Sequence, residues 1–230
     1  MLFIIIIGFM IASWAVSSRL KNKFKKYSRE MLGSGLSGRE IAELMLRDNG
    51  IYDVSVTSVE GRLTDHYNPA NKTVNLSPDV YNGRSAAAAA VAAHECGHAL
   101  QHAQAYRWLE FRSAMVPIQN VSARVINIMF FAMLFGAFIL PGLINPQLAL
   151  LIIIGCYSIF TLFAFVTLPV EYDASKRALA WIRDRNIVDS REHDMAKDAL
   201  NTAAQTYLVA ALGALATLLY YVMIFMGGDD

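Results

Sequence analysis

Ser85-Ala86-Ala87-Ala88-Ala89-Ala90-Val91-Ala92-Ala93-His94-Glu95-Cys96-Gly97-His98-Ala99-Leu100-Gln101-His102-Ala103-Gln104-Ala105 is the stretch whose reading decides the rest of the chain. Serine is a good helix N-cap, alanine is the best helix former, and no breaker follows before Ala105. His94 and His98, four residues apart, lie one turn above each other on one helical face. Both imidazoles therefore reach a single zinc ion at about 2.0–2.1 Å. Glu95 projects beside that ion, placed to take a proton from water rather than to act as a ligand. Cys96, two positions after His94, falls on the opposite side and reads as a small packing residue. The alanines let the helix pack closely on its neighbours.

Composition sets the surroundings. The chain has 230 residues, 55% of them hydrophobic and only 17% charged, which is too apolar for an ordinary soluble domain. The excess is concentrated in residues 2–16, 128–144, 148–168 and 207–226, each close to the ~20 residues that a membrane-spanning helix needs. Arg19, Lys21, Lys23, Lys25, Lys26 and Arg29 follow the first stretch rather than precede it. That order predicts an uncleaved anchor with its N-terminus outside. The turn at residues 141–147 is uncharged, whereas Lys176, Arg177, Arg183, Arg185, Arg191 and Lys197 lie between the third and fourth stretches. Four spans with both termini outside and two polar segments in the cytoplasm satisfy these signals together.

The expected organisation is an anchor at 1–18, a segment carrying the H-E-x-x-H helix at 19–116, two spans at 117–169, a polar segment at 170–206, and a last span with its tail at 207–230. The expected fold class is membrane α-helical with a small α+β cytoplasmic catalytic domain, in a multi-pass protein of the cell membrane. A net charge of +1 gives no reason to expect nucleic acid, and the basic run after the first span suits a lipid bilayer. With only Cys96 and Cys156 present, a disulfide framework is not expected.

The polar segments have local signals of their own. Ser37-Gly38-Arg39-Glu40 is a capping box that opens a helix with Ile41, Leu44 and Met45 on one face, and Asn49-Gly50 closes it. Val54 and Val56 alternate with polar residues; strands at 62–67 and 73–77 then flank an Asn68-Pro69-Ala70-Asn71 turn. This hairpin is expected to offer an edge strand, with the backbone of Val74 and Asn75 available to an extended substrate.

A zinc hydrolase keeps three protein ligands and an open position, so His94 and His98 need a partner. A histidine six residues past His98 with a glycine midway would supply it in metzincins, but those positions are Gln104 and Gln101. His102 stands about 12 Å along the helix axis from His94, too far to share an ion. Glu171 is the better candidate. It follows the third span at the start of a new polar helix, on the same side as the H-E-x-x-H helix, and it completes the His2Glu set of thermolysin-type enzymes. Asp173 and His193 are the alternatives.

HECGHALQHA, the LTDHYNPANKTVNLS hairpin, TLPVEYDASKRAL and the four-span layout together resemble the YugP-like family of membrane zinc metallopeptidases over essentially the whole chain. The chain is more distantly similar to gluzincins, including HtpX-like membrane proteases, whose third ligand opens a glutamate-x-x-x-aspartate motif. That similarity implies Glu171 as ligand and a minimal gluzincin-like domain. Position four onward is Ser175 here, with the aspartate at Asp173, so which residue orients a ligand histidine stays open.

The implied activity is hydrolysis of peptide or membrane-protein substrates with Zn2+ as cofactor and Glu95 as general base and acid. A further donor for the oxyanion falls to His193 or Tyr207 after the third ligand, or to His66 or Tyr67 in the hairpin. The principal rival is a membrane scaffold with a structural or latent zinc site, for which Glu95 would have no use. Transport fits poorly, because the spans carry no buried acidic residues and no paired broken helices.

Overall fold

The computed structural model describes residues 2–139 and 145–227. Its elements in chain order are α1 (Leu2–Tyr27), α2 (Gly38–Asp48), β1 (Ser55–Ser58), β2 (His66–Asn68), β3 (Thr73–Leu76), α3 (Pro78–Tyr81), α4 (Ala86–Ala103), α5 (Arg107–Ile139), α6 (Pro146–Asp184) and α7 (Ser190–Gly227). The described protein is therefore mostly helical with one small sheet. The uncharged turn expected at 141–147 and the end of the second apolar stretch fall largely on 140–144, outside the described residues.

The chain divides into two compact units. One holds residues 1–14, 111–168 and 207–230, the other 15–110 and 169–206. The first is the apolar unit. Helices α1, α5, α6 and α7 are each long and apolar enough to cross a membrane, by length and composition. In this unit Phe3, Trp14, Ile128, Phe130, Phe131 and Leu148 are all exposed, as suits side chains whose solvent is lipid. Two helices differ from the sequence expectation. A new helix was expected after Leu168-Pro169, yet α6 runs unbroken through Pro169. Proline removes one backbone donor, but Val170, Ala174, Ala178 and Ile182, one turn apart, are all fully buried, and that burial holds the helix together beyond the proline. Helix α7 likewise continues from Ser190 through Tyr207 without interruption.

The second unit has the hydrophobic core. Ile41, Met45, Leu76, Val80, Ala89, Cys96 and Ile182 are completely buried in it. The capping box forms as expected: Ser37 accepts from the Glu40 N–H while the Glu40 carboxylate accepts from the Ser37 N–H. Ser85 caps α4 by accepting from the Ala88 N–H. The hairpin also forms, with β2 antiparallel to β3 and Asn68 opposite Thr73.

The assignment of its substrate edge to Val74 and Asn75 is corrected. β1 pairs in parallel with β3, Ser55 opposite Thr73 and Ser58 opposite Leu76, so the strand order is β1-β3-β2. β3 is central, its two sides taken by β1 and β2, and Val74 and Asn75 have no free edge to offer. The short 55–58 strand carried too weak an alternation to reveal a parallel partner. The outer strands are β1 and β2.

At Gly97 the backbone of α4 comes directly against that of α6. A Cβ placed there would lie 2.6 Å from the Ala174 carbonyl oxygen, closer than real Cβ atoms approach, and 3.1 Å from its carbonyl carbon. Only glycine lets the two helix backbones touch at this turn. Gly97→Ala should therefore destabilise the protein by about 1–3 kcal/mol and move the two helices apart. Thermal unfolding of the detergent-solubilised variant, together with its zinc content, checks this; a variant with unchanged melting and full zinc would contradict it.

Candidate metal centre

The face of α4 that carries His94 and His98 meets the first polar turns of α6, and all the groups concerned belong to the second unit. The two imidazoles sit edge to face, ring centroids 4.8 Å apart with an interplanar angle of 81°, as residues one helical turn apart do. Glu171 Oε2 lies 3.3 Å from His94 Nε2 and 3.6 Å from His98 Nε2. One ligand atom from each of the three residues falls within 4.8 Å of the others. Three ligands bound tetrahedrally at zinc distances of about 2.0–2.1 Å would stand about 3.4 Å from one another. The two spacings to Glu171 match that figure, and two imidazole nitrogens with one carboxylate oxygen form a donor set that zinc takes. The residues present fit the ion.

Each histidine is held from behind. Gln101, wholly buried, places its amide nitrogen 2.8 Å from the Val170 carbonyl and 2.9 Å from Asp173 Oδ2. Both of these partners only accept, so the amide nitrogen must face them and Gln101 Oε1 must face His98 Nδ1, at 3.0 Å. An oxygen there requires the proton on Nδ1 and leaves the Nε2 lone pair pointing at Glu171. Asp173 is fixed in turn by Arg177. For His94 the partner is Ser175, whose hydroxyl stands 3.1 Å from Nδ1. The serine four residues past Glu171 thus contacts one histidine, while Asp173 reaches the other through Gln101. Burial on its own would push the His98 imidazole toward neutrality, but the Glu171 carboxylate, aided by Glu95, outweighs it and holds its pKa above the ordinary histidine value.

Glu95 is buried and outside the ligand group. The Tyr67 backbone N–H of β2 donates to its Oε2 at 3.0 Å. The Tyr67 hydroxyl is 2.8 Å from His102 Nδ1, so β2 lies along α4 from Glu95 to His102. Cys96 is fully buried with its thiol near the Ala42 carbonyl, and burial pushes its pKa up; it is an inert packing residue.

Of the residues singled out in the sequence, His94, His98 and Glu171 come together and Glu95 stands beside them. His193 is half-buried in the first turn of α7, and Tyr207 belongs to the apolar unit. Neither is in the ligand group. Gln101, Ser175, Gly97 and the Tyr67 N–H were not assigned these contacts from the sequence. Only Ser175 had a signal, its spacing from Glu171.

A two-histidine, one-carboxylate centre with a glutamate next to the first histidine defines a zinc metallopeptidase class, and comparison with known proteins agrees. A family model described as "Putative neutral zinc metallopeptidase" matches residues 2–226, and the chain belongs to that family. It is 40% identical over 230 residues, covering 100% of this chain and 98% of the relative, to the "Putative membrane protease YugP" of Bacillus subtilis (strain 168). No solved structure matches.

Replacing the groups behind the histidines should weaken metal binding without emptying the site. Gln101→Leu and Ser175→Ala are each expected to lower zinc affinity by about 10–100-fold. Competition against a chromophoric chelator measures it, and unchanged affinity in both variants would show that the histidines need no support.

Proposed function

We propose that the protein is a membrane-embedded, zinc-dependent endopeptidase of gluzincin type that cleaves membrane or membrane-associated proteins. The observation that carries this reading is the grouping of His94, His98 and Glu171 with Glu95 alongside but outside the ligand set. A bound zinc ion would supply Lewis-acid polarisation of the scissile carbonyl and acidify water toward neutral pH.

The chain's own residues do the rest. His94, His98 and Glu171 hold the ion through Nε2, Nε2 and a carboxylate oxygen. Glu95 accepts the proton of the attacking water and then delivers it to the leaving amine nitrogen. The Tyr67 N–H keeps the Glu95 carboxylate turned toward the site. An extended peptide laid along the outer edge of β2 would pass Glu95, the usual way for a protease to accept varied side chains. As donor to the developing oxyanion we put forward either His193 or Tyr207, which stand about 21 Å apart along α7 and so are alternatives, with Tyr67 as the third candidate because its strand already touches Glu95.

Separate substitutions distinguish ligand from base. Glu171→Ala, like His94→Ala and His98→Ala, should purify with little zinc. Glu95→Gln should keep about one zinc per chain, the stoichiometry of a single site, and lose peptide hydrolysis. Metal analysis with a peptidase assay reads both, and full activity in Glu95→Gln would end the hydrolytic mechanism. Variants of His193 or Tyr207 that keep zinc but turn over more slowly would support the oxyanion role.

The centre is further assigned to the cytoplasmic side, because every Lys and Arg cluster falls there in the four-span arrangement. Single cysteines at Lys25, Asn145 and Arg185, in a chain whose native Cys96 and Cys156 are buried, test it. Labelling from outside intact cells should reach only Asn145; the opposite pattern would invert the arrangement.

A further inference from the structure

The second unit contains a cavity of about 350 Å³ lined by Lys21, Asn22, Phe24 and Lys25 of α1, by Arg62 and Leu63, and by Ser77 and Asp79. Its charges do not cancel. Arg62 pairs with Asp79 at 3.3 Å, which leaves the ammonium groups of Lys21 and Lys25 without a carboxylate in ion-pair range among the described residues. These two lysines are four residues apart in α1, so they lie on one face, one turn above each other. Between them Phe24 contributes an apolar wall. Opposite stands Leu63, an exposed leucine whose backbone is in the left-handed region at φ 58°, a conformation that costs a non-glycine residue on the order of 1 kcal/mol. The cavity therefore joins two unneutralised cations to apolar side chains. That pairing suits a ligand with an anionic head and a hydrocarbon tail.

Position narrows the ligand. Lys21 follows Val16, the last residue of the uncharged 2–16 run, by about 7.5 Å along the helix, and Lys25 by about 13.5 Å, at 1.5 Å per residue. Residues 2–16 cover only about 22.5 Å of a hydrocarbon core about 30 Å thick, so the core reaches to about Lys21 and Lys25 lies about 6 Å beyond it, inside a headgroup layer about 5–7.5 Å deep on each side. We propose that this cavity is a binding site for the phosphate headgroup of an anionic phospholipid, with Lys21 and Lys25 on the phosphate and Phe24 and Leu63 against the upper acyl chain. An inorganic phosphate would share the charged contacts but not the apolar ones, and an acidic peptide would have no reason to prefer the membrane-proximal end of α1.

The test uses the full chain, purified in neutral detergent and titrated with short-chain phosphatidylglycerol, short-chain phosphatidylcholine, inorganic phosphate and a glutamate-rich peptide. Bound lipid is counted by native mass spectrometry. Phosphatidylglycerol should bind at about one molecule per chain and the other three should not compete with it at equal concentration. A basic residue near an anionic headgroup contributes about fivefold to binding, so Lys21→Gln with Lys25→Gln should weaken phosphatidylglycerol roughly 25-fold. Both lysines are exposed, so this double variant should keep its melting temperature. Lys26→Gln, whose ammonium group sits over the Tyr27 ring instead, should bind as the unaltered protein does. Equal binding of phosphatidylcholine, displacement by inorganic phosphate or by the peptide, or undiminished lipid binding in the double lysine variant would each overturn the proposal.

Discussion

The contact between Gly97 and Ala174 is the point on which the candidate centre depends. Three ligand atoms spread over two helices can meet only if the helix axes are close, and the missing side chain at Gly97 is what allows it. One turn before this contact is His94 and one residue after it is His98; on the other helix Glu171 is three residues before Ala174 and Ser175 one after. Every group at the centre is thus within a turn of a single backbone-to-backbone touch. The glycine in the motif has no chemistry of its own, yet it sets the distance over which the chemistry operates.

A buried glutamate between two histidines is costly unless its charge is answered. Here Glu171 Oε2 faces the Nε2 atoms of both histidines, and the outward-facing nitrogens of both rings are tied to α6 or to a residue bonded to it. The network runs from His98 through Gln101 and Asp173 to Arg177, where it reaches solvent. Charge is therefore carried from the interior to the surface by hydrogen bonds rather than left isolated, and the His98 imidazole is fixed in the tautomer that presents Nε2.

Much of this was legible from the sequence because the signals are local. The capping box, the alanine helix and the hairpin each depend on neighbouring residues, and each formed; the four apolar stretches are helical over their described residues. The ligand histidines could be read because a spacing of four fixes a face. What could not be read depends on which surfaces meet. The burial that carries α6 through Pro169 is tertiary, since Val170 and Ala174 look like ordinary small apolar residues until α4 lies against them. The parallel pairing of β1 depends on a strand of four residues, and the roles of Gln101 and Ser175 require knowing that α4 and α6 face each other. The position of β3 is the clearest example: a hairpin read alone leaves one strand free, and a third strand arriving from earlier in the chain removes that freedom.

The alanine-rich turns that precede the histidines have a thermodynamic consequence. Residues 86–90, 92 and 93 of α4 are all alanines buried almost completely, and an alanine has no side-chain torsion to freeze on folding. The segment leading to the centre therefore contributes almost no rotameric disorder, either before or after an ion is captured. Little conformational entropy has to be surrendered at capture, so affinity is set chiefly by bond strength and by the protons that the ligands give up.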